Sequence, residues 1–247
     1  MIKIVFEEAL KNAVDEIYIT VFNNSPQRKR LIGMIQGWGF KYTAVKGEKE
    51  LVFVRPMKKG LTDTPSTCYP YQDIHANSFI ISLRKEYASL LLPSIESRNH
   101  VDDLEPYKSA IRKVLIIGEA HENMEKGTVL LFFQKSKNKE ERGIIAAGIV
   151  ENTYCNFSNE QDFYTRCRKR SFLSNESLNK YWIIYNKKPF VIDFLFTYSF
   201  NENLISEERI KDVGINNFSD KQICQLSSAQ FMELIKGSEY EKNIVVY

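Results

Sequence analysis

The chain opens with apolar residues at helical spacing. Over residues 2–13 the apolar positions recur with the period of a helix, and charged residues occupy the opposite side. These positions are Ile2, Val5, Phe6, Ala9, Leu10 and Ala13. The next stretch, DEIYITVF, is instead a nearly continuous apolar run of strand length. The pattern predicts an amphipathic helix followed by a strand that is buried on both faces.

A second helix and a hairpin complete the first block of the chain. Ser25 and Pro26 fit an N-cap residue followed by proline at the first helical position, and Gly37 or Gly39 ends the helix. The apolar segments FKYTAV and ELVFVR flank residues 46–49, which predicts a β-hairpin. Residues 1–59 are therefore predicted to form a small α/β unit.

The remainder of the chain reads as a linker and a second block. Residues 60–76 are predicted to be a linker, because Gly, Pro, Ser, Thr and Asp dominate them without periodicity. The second block, residues 77–247, opens with the strand SFIISL and a short helix in RKEYASLLLPS. Strands rich in Val, Ile and Phe follow in IRKVLIIG, GTVLLFFQK, GIIAAGIVENTY and PFVIDFLFTYSF. The predicted fold class is α+β, with a small curved sheet or barrel and flanking helices.

Helices are predicted between and after the last of these strands. Residues 159–182 form a polar helical stretch. Capping boxes at residues 219–222 and 227–230 are expected to start two C-terminal helices, and Gly237 is expected to end the second.

Composition narrows the functional classes only slightly. Charged residues make up 26% of the 247 residues, and no apolar run approaches the ~18 to 20 residues of a membrane helix. The N-terminus carries acidic residues and no small-residue cleavage site, so we expect a soluble, cytoplasmic protein without a signal peptide and without a membrane partner. A net charge of +3 does not by itself identify a partner.

Metal sites and catalytic constellations are not indicated. The cysteines, Cys68, Cys155, Cys167 and Cys224, are scattered, so we expect reduced thiols and no metal site. His75, His100 and His121 have no nucleophile partner that the sequence places nearby, and ordinary exposed histidines are expected. Asp102, Asp103 and Glu105 fit a hydrated loop better than a catalytic carboxylate pair.

One short motif raises the question of acetyl-coenzyme A. Arg30 lies three residues before Gly33, as in an acetyl-CoA phosphate loop, but Met34 and Ile35 follow, and the stretch lies within a predicted helix. Helical amides are already used by the backbone ladder, so Gly33 is predicted to be a close-packing glycine.

The first block nevertheless resembles the C-terminal half of a GNAT-superfamily acetyltransferase. The resemblance rests on the order of elements, on Trp38, Gly39 and Phe40 before the hairpin, and on Gly47 and Glu48. It implies that the phosphate loop would precede residue 2, so no cofactor is expected and Tyr18 and Tyr42 receive no catalytic role. The alternative function is an N-acetyltransferase, with acetyl-CoA, in which this chain is the C-terminal part of a split enzyme acting on an RNA-linked, nucleotide-linked or protein substrate.

The second block resembles the PUA-like superfamily, which includes ASCH and EVE domains. The resemblance rests on FIISLRKEYASLLLPSIESR and GTVLLFFQKSKNKEERGIIAAGIVENTY and spans residues 77–215. It implies a curved β-barrel that binds RNA or a modified base. The Gly-x-Lys-Thr segment of ASCH-like amidohydrolases is missing from residues 92–98, where Glu96 and Arg98 are expected to form a surface ion pair. The fusion of the two blocks also resembles a recurring bacterial family of acetyltransferase-related proteins.

A basic segment supplies the candidate nucleic-acid site. Positive charges concentrate within five residues, a hydroxyl and an aromatic residue follow, and further aromatic residues lie nearby in sequence. The candidates are Arg166, Arg168, Lys169, Arg170, Ser171, Phe172, Tyr164, Tyr181 and Trp182. Such residues contact phosphates and stack on bases, although a solvated helical face with core aromatics remains the alternative. The predicted partners are RNA or a modified nucleotide, and a partner chain or second copy at an open sheet edge of the first block.

Overall fold

A computed structural model describes residues 2–57, 60, 64–92, 110–168, 170–200, 203–216 and 218–247. The first block contains α1 (Ile2–Lys11), β1 (Glu16–Phe22), α2 (Arg28–Gln36), β2 (Lys41–Lys46) and β3 (Glu50–Pro56). This order of helix, strand, helix and hairpin is the one that the sequence predicts.

The first block forms a three-stranded antiparallel sheet in the order β1-β3-β2. Phe6 of α1 is fully buried and contacts Trp38 and Phe40, while Ile17 and Val21 of β1 belong to the same cluster. Tyr18 and Phe22 point the other way and are exposed. The prediction that this strand is buried on both faces was wrong, because described helices cover only one face of the sheet.

The second block is longer and richer in strands. It begins with α3 (Pro65–Cys68), β4 (Gln72–Asp73), β5 (Ser78–Arg84), α4 (Lys85–Leu91), β6 (Arg112–Ile117), β7 (Val129–Lys135) and β8 (Gly143–Tyr154). It continues with α5 (Glu160–Cys167), α6 (Asn175–Ile184), β9 (Phe190–Ser199), β10 (Ile205–Ser206) and α7 (Glu207–Asp212). It ends with β11 (Ile223–Leu226), α8 (Ser228–Ile235), α9 (Glu239–Ile244) and β12 (Val245–Val246). In the described part of the chain, no helix combines the length and hydrophobicity needed to cross a bilayer.

The central sheet has seven strands in the order β11-β5-β7-β8-β9-β6, with β10 paired to β8. Its pairs are antiparallel except for β5 and β7. The first and last strands of this order, β11 and β6, do not pair with each other among the described residues, so the predicted closed barrel is not found. Helices and the first block cover the sheet, and apolar clusters fill both of its faces.

The segment predicted as a linker is built into the core from residue 64 onward. Tyr69 is buried and its hydroxyl donates to the carbonyl of Phe196 at 3.1 Å. Gln72 is also buried, donates to Thr197 Oγ1 at 2.6 Å, and lies in β4, which pairs with β12. The sequence analysis did not predict these buried contacts, because the Gly, Pro, Ser, Thr and Asp content of residues 60–76 is typical of a linker. The division of the chain into domains stays a prediction.

The two predicted C-terminal capping boxes have different outcomes. Ser227 and Gln230 form the box, since Ser227 Oγ accepts from the Gln230 N–H at 3.2 Å and Gln230 Oε1 accepts from the Ser227 N–H at 3.0 Å. Residues 219–222 do not start a helix, and the prediction was wrong there. They form a turn into β11, which adds to the sheet beside β5.

Candidate nucleic-acid interface

The basic segment lies where the predicted single helix of residues 159–182 breaks into two. Asn159 caps α5, and Ser174 caps α6 by accepting from the Ser177 N–H at 3.2 Å. The second cap begins a new helix, so residues 168 and 170–174 lie between α5 and α6. These residues include Arg168, Arg170, Ser171 and Phe172, while Lys169 lies outside the described residues.

Part of the predicted site faces the core. Trp182 is buried and stacks on Phe163 with ring centroids 5.5 Å apart. Ser171 is buried as well, and its Oγ accepts from the Leu173 N–H at 3.0 Å. Neither side chain is available to a ligand at the surface. The core alternative is therefore correct for Trp182, which anchors α6 against α5 and the sheet.

The arginines face outward and gather with one further arginine of the sheet. We call Arg112, Arg166, Arg168 and Arg170 the arginine cluster: the charges of Arg112, Arg166 and Arg170 act on Asp193, and Arg168 is included because it lies between the last two in sequence. Arg170 Nη1 lies 2.6 Å from Asp193 Oδ2, and the Arg166 guanidinium lies 4.8 Å above the ring of Tyr154. Arg166 also lies 3.7 Å from Asp162. Arg168 is exposed and has no ion pair with any described acidic residue.

Arg112 was missed by the sequence analysis. It lies at the start of β6, and its guanidinium makes a two-pronged ion pair with Glu151 of β8, at 2.8 and 3.0 Å. The same guanidinium lies 4.6 Å from the ring centre of Trp38 in the first block. The available signal was a basic residue at the edge of the apolar strand IRKVLIIG, which a search for runs of charge does not detect.

Asp193 lies at the centre of the cluster, in a gap between two covering layers of the sheet. On β9, Val191 packs with α5 and α6, Leu195 packs with the first block, and Asp193 lies between them. Its side chain is 9% exposed, and its Oδ1 has no hydrogen-bond partner among the described residues. Burial raises the pKa of Asp193, and the positive charges of Arg170, Arg166 and Arg112 oppose that shift. Three arginines therefore act on one buried carboxylate.

The remaining predicted aromatic residues contact a carboxylate or other aromatic rings. The Tyr164 hydroxyl donates to Glu160, and burial together with this carboxylate raises its pKa to about 12. Phe172 packs edge-on against Tyr87, with ring centroids 4.9 Å apart. Tyr181 lies beside Tyr185 at 5.6 Å and is half-buried. Of the predicted stacking residues, Tyr164, Phe172 and Tyr181 are half-buried, as is Tyr154, which was not predicted.

The acetyl-CoA motif is part of a regular helix. Residues 30–33 lie within α2, and the Gly33 carbonyl accepts from the Gly37 N–H at 3.0 Å. Nothing lies within 4 Å of the position that a Cβ on Gly33 would occupy. The expectation that Gly33 permits close packing was therefore wrong, and no phosphate-binding loop is formed there.

The other candidate groups do not converge. Among the residues that the structure describes, no three His, Cys, Asp or Glu side chains are grouped as a metal site would require. His75 is exposed, whereas His121 is half-buried with its ring edge against Phe79 at 4.7 Å. The predictions for the next group of residues are not tested, because these residues lie outside the described ones: Glu96, Arg98, His100, Asp102, Asp103 and Glu105.

Comparison with known proteins leaves the family open. No family model and no curated protein matches the chain. Among solved structures, ASCH from Zymomonas mobilis is similar at a TM-score of 0.45 and 13% identity, over 68% of this chain and 98% of that one. A single-residue variant of that protein gives 0.46 and 13%, over 65% and 96%. A hypothetical protein from Leishmania major gives 0.39 and 12%, over 68% and 97%. Likeness of this degree does not assign a family.

Proposed function

We propose that this chain binds single-stranded nucleic acid, preferentially RNA, through the arginine cluster. The observation that carries the proposal is the convergence of Arg112, Arg166 and Arg170 on the buried carboxylate of Asp193. Arg112 comes from β6, Arg166 from α5 and Arg170 from the segment after α5, and Asp193 lies between residues of β9 that pack with the first block and with α5–α6.

The arginines are held in place, which favours a specific anion contact. Arg112 is fixed by Glu151 and Trp38, Arg170 by Asp193, and Arg166 by Tyr154. A guanidinium has five N–H donors in a fixed plane, so an ion pair on one edge leaves donors on the other. The Arg112, Arg166 and Arg170 side chains remain 33%, 50% and 37% exposed. An arginine oriented in advance loses less entropy when it binds a phosphate.

The acidic neighbours limit how strongly the cluster binds phosphates. Glu151, Asp162 and Asp193 offset much of the positive charge, so the surface is not a simple basic patch. We therefore expect few phosphate contacts and a shallow dependence of affinity on salt. The carboxylates are acceptors, and base edges carry amino groups that acceptors bind. A recognised base next to a phosphate fits this mixture of charges better than a long duplex backbone does.

An aromatic ring beside the cluster offers a stacking surface. Tyr154 lies under Arg166 and is half-buried. Tyr181 on α6 is also half-buried, but its neighbours are Tyr185, Tyr87 and Arg84. Stacking of a base on an aromatic ring contributes about 1–3 kcal/mol per base and tolerates any base. Single strands and splayed bases make such contacts, whereas the bases of a duplex are already stacked. The resemblance of the second block to PUA-like domains also favours RNA or a modified base, because such domains generally bind these ligands.

The test is fluorescence anisotropy with labelled single-stranded RNA, single-stranded DNA and duplex over a series of salt concentrations. The variant Arg166→Ala/Arg168→Ala removes two exposed charges from the cluster, and Lys137→Ala/Lys139→Ala removes two exposed charges from the β7–β8 connection as a matched control. We expect the log–log salt slope to fall by about 1.4 in the first variant, because each single-strand phosphate contact contributes ~0.7. The control keeps the slope of the wild type.

Two outcomes would contradict the proposal. Equal losses in the two variants would show nonspecific attraction by total charge, without a site at the arginine cluster. Absence of binding to every polymer at low salt would remove nucleic-acid polymers as ligands. Titration calorimetry with modified mononucleotides, on the wild type and the arginine variant, then decides whether a small base ligand occupies the same cluster.

A further inference from the structure

We propose that two copies of this chain associate through the free edge of β1, so that the three-stranded sheet continues across a two-fold axis. β3 pairs with one side of β1, and no other described strand pairs with the remaining side. A free strand edge presents a row of N–H and C=O groups that another strand can bond. The free edge of β1 therefore offers an interaction surface, and the side chains along this strand indicate which partner fits it.

The two outer strands of this sheet differ in their protection against pairing. β2 carries exposed lysines at both ends, Lys41 and Lys46, and a register shift between Tyr42 and Ala44. Lysines and bulges are the features that keep natural edge strands from associating. β1 pairs with β3 over seven residues without a shift, and its Tyr18 and Phe22 are 69% and 58% exposed. Only β1 presents a regular, apolar edge.

The side chains of β1 fit a second copy of the same strand. Antiparallel self-pairing of Glu16–Phe22 is centred on Ile19, the middle residue. This register sets Ile17 opposite Val21, Tyr18 opposite Thr20 and Glu16 opposite Phe22 of the second copy. The helix-covered residues then meet one another across the axis, and no like charges face each other. The same operation on β2 would set Lys41 against Lys46 twice, which is unfavourable.

Charge at the two ends of β1 supports the same arrangement. Asp15 and Glu16 are exposed at its start, and Arg28, Lys29 and Arg30 are exposed at the beginning of α2, shortly after its end. In an antiparallel pair the start of one strand lies beside the end of the other. The two-fold arrangement therefore brings an acidic end toward a basic end at both sides of the axis.

Exposed apolar side chains concentrate in the first block. Among the described residues, seven of the twelve large hydrophobic side chains that are exposed lie in residues 2–57. They are Ile4, Val14, Tyr18, Phe22, Met34, Tyr42 and Val45. Tyr18 and Phe22 share the uncovered face of β1, next to its free edge, so both belong to the proposed interface.

Opposite charges at one position test the register. Phe22→Glu places a carboxylate opposite Glu16 of the second copy at both ends, whereas Phe22→Lys places an ammonium there. Sedimentation equilibrium of the full chain should show a dimer for the wild type and for Phe22→Lys. The dimer dissociation constant of Phe22→Glu should be at least about tenfold larger than that of Phe22→Lys. Val45→Glu on β2 is the control and should leave the dimer intact, and adding Glu16→Lys to Phe22→Glu should restore association.

Three results of these measurements would contradict the proposal. A wild type that remains monomeric over the whole concentration range overturns it, as does loss of the dimer in Val45→Glu but not in Phe22→Glu. Equal effects of Glu and Lys at position 22 exclude the self-paired register. Circular dichroism and thermal melting of each variant confirm folding, which is expected because Phe22 is mostly exposed.

Discussion

The two sheets of this chain are covered to different extents. In the central sheet, strands such as β5, β7 and β9 are buried along nearly their whole length, because apolar clusters occupy both faces. In the first block, described helices cover one face of the three-stranded sheet, and β1 alternates between buried and exposed residues. In a sheet covered on both faces, a ligand can reach only the places between the covering elements. In a sheet covered on one face, the other face and the free strand edge remain accessible to a partner.

The proposed nucleic-acid site and the proposed dimer interface lie on different sheets. Asp193 is buried on β9 of the central sheet, between residues that pack with the first block and residues that pack with α5–α6, and Arg170 pairs with it there. The free edge of β1 lies on the other sheet, where apolar side chains remain exposed.

The largest difference is expected between core truncations in the two sheets. Phe194 of β9 is fully buried against Phe132, so Phe194→Ala should cost about 3–5 kcal/mol of unfolding free energy. Tyr18→Ala in β1 should change it by less than about 0.5 kcal/mol in the monomer, because Tyr18 is exposed. Urea denaturation at low protein concentration measures both. Similar losses for the two variants would mean that the first sheet is covered as fully as the second.

A buried cation on β6 gives a pH-dependent test. Burial, with a smaller contribution from Lys3, lowers the pKa of Lys113 from 10.5 to about 7. Between these values the unfolded chain binds more protons than the folded one, so this residue makes stability rise with pH. Lys113→Met should therefore raise stability at pH 7 by roughly 1–3 kcal/mol, with a gain that shrinks as the pH approaches 10.5. Thermal melting over a pH series measures it, and a gain that grows with pH would contradict the burial of the charge.

The buried carboxylate of Asp193 should make stability change with pH in the opposite direction. Burial raises the pKa of Asp193 above 3.8, so the folded chain retains this proton to a higher pH than the unfolded chain does. Stability due to this group therefore falls as pH rises through that window. Asp193→Asn should be more stable than the wild type at pH 7 by less than about 1 kcal/mol, and equal to it below pH ~4. A large loss at pH 7 would instead show that the ion pair with Arg170 dominates.

The cysteines provide the smallest effect. Cys155 is exposed and should react with a thiol reagent in the folded protein, whereas Cys167 is buried. Burial, reinforced by Asp193, raises the pKa of Cys167 to about 12, so its thiolate is scarce at neutral pH. Mass spectrometry should find Cys167 labelled only at the rate of unfolding. Rapid labelling would show that the layer formed by α5 and α6 opens readily.

Local patterns were enough to predict most elements, because they depend on neighbouring residues. The helix, strand, helix and hairpin of the first block follow from apolar periodicity and turn residues, and the Ser227 box from four residues. The burial of Trp182 and the anchoring of Tyr69 depend on distant packing partners, so the sequence left the first as an alternative and did not predict the second.

The candidate site was only partly predictable for the same reason. The arginines of residues 166–170 stand out in sequence, but Arg112 and Asp193 join them only because β6 pairs with β9, 73 to 83 residues later. Their sequence signal is a single charge within an apolar strand. Which charges meet across a sheet depends on strand order and register, and a local pattern contains neither.

The most direct test of the account is photo-crosslinking of the full chain to single-stranded RNA containing 4-thiouridine, followed by peptide mapping. We expect crosslinks at Tyr154 and in α5, and their loss in Arg166→Ala/Arg168→Ala. Crosslinks that concentrate on Tyr18, Phe22 or Tyr42 would contradict it, because RNA would then occupy the exposed sheet of the first block.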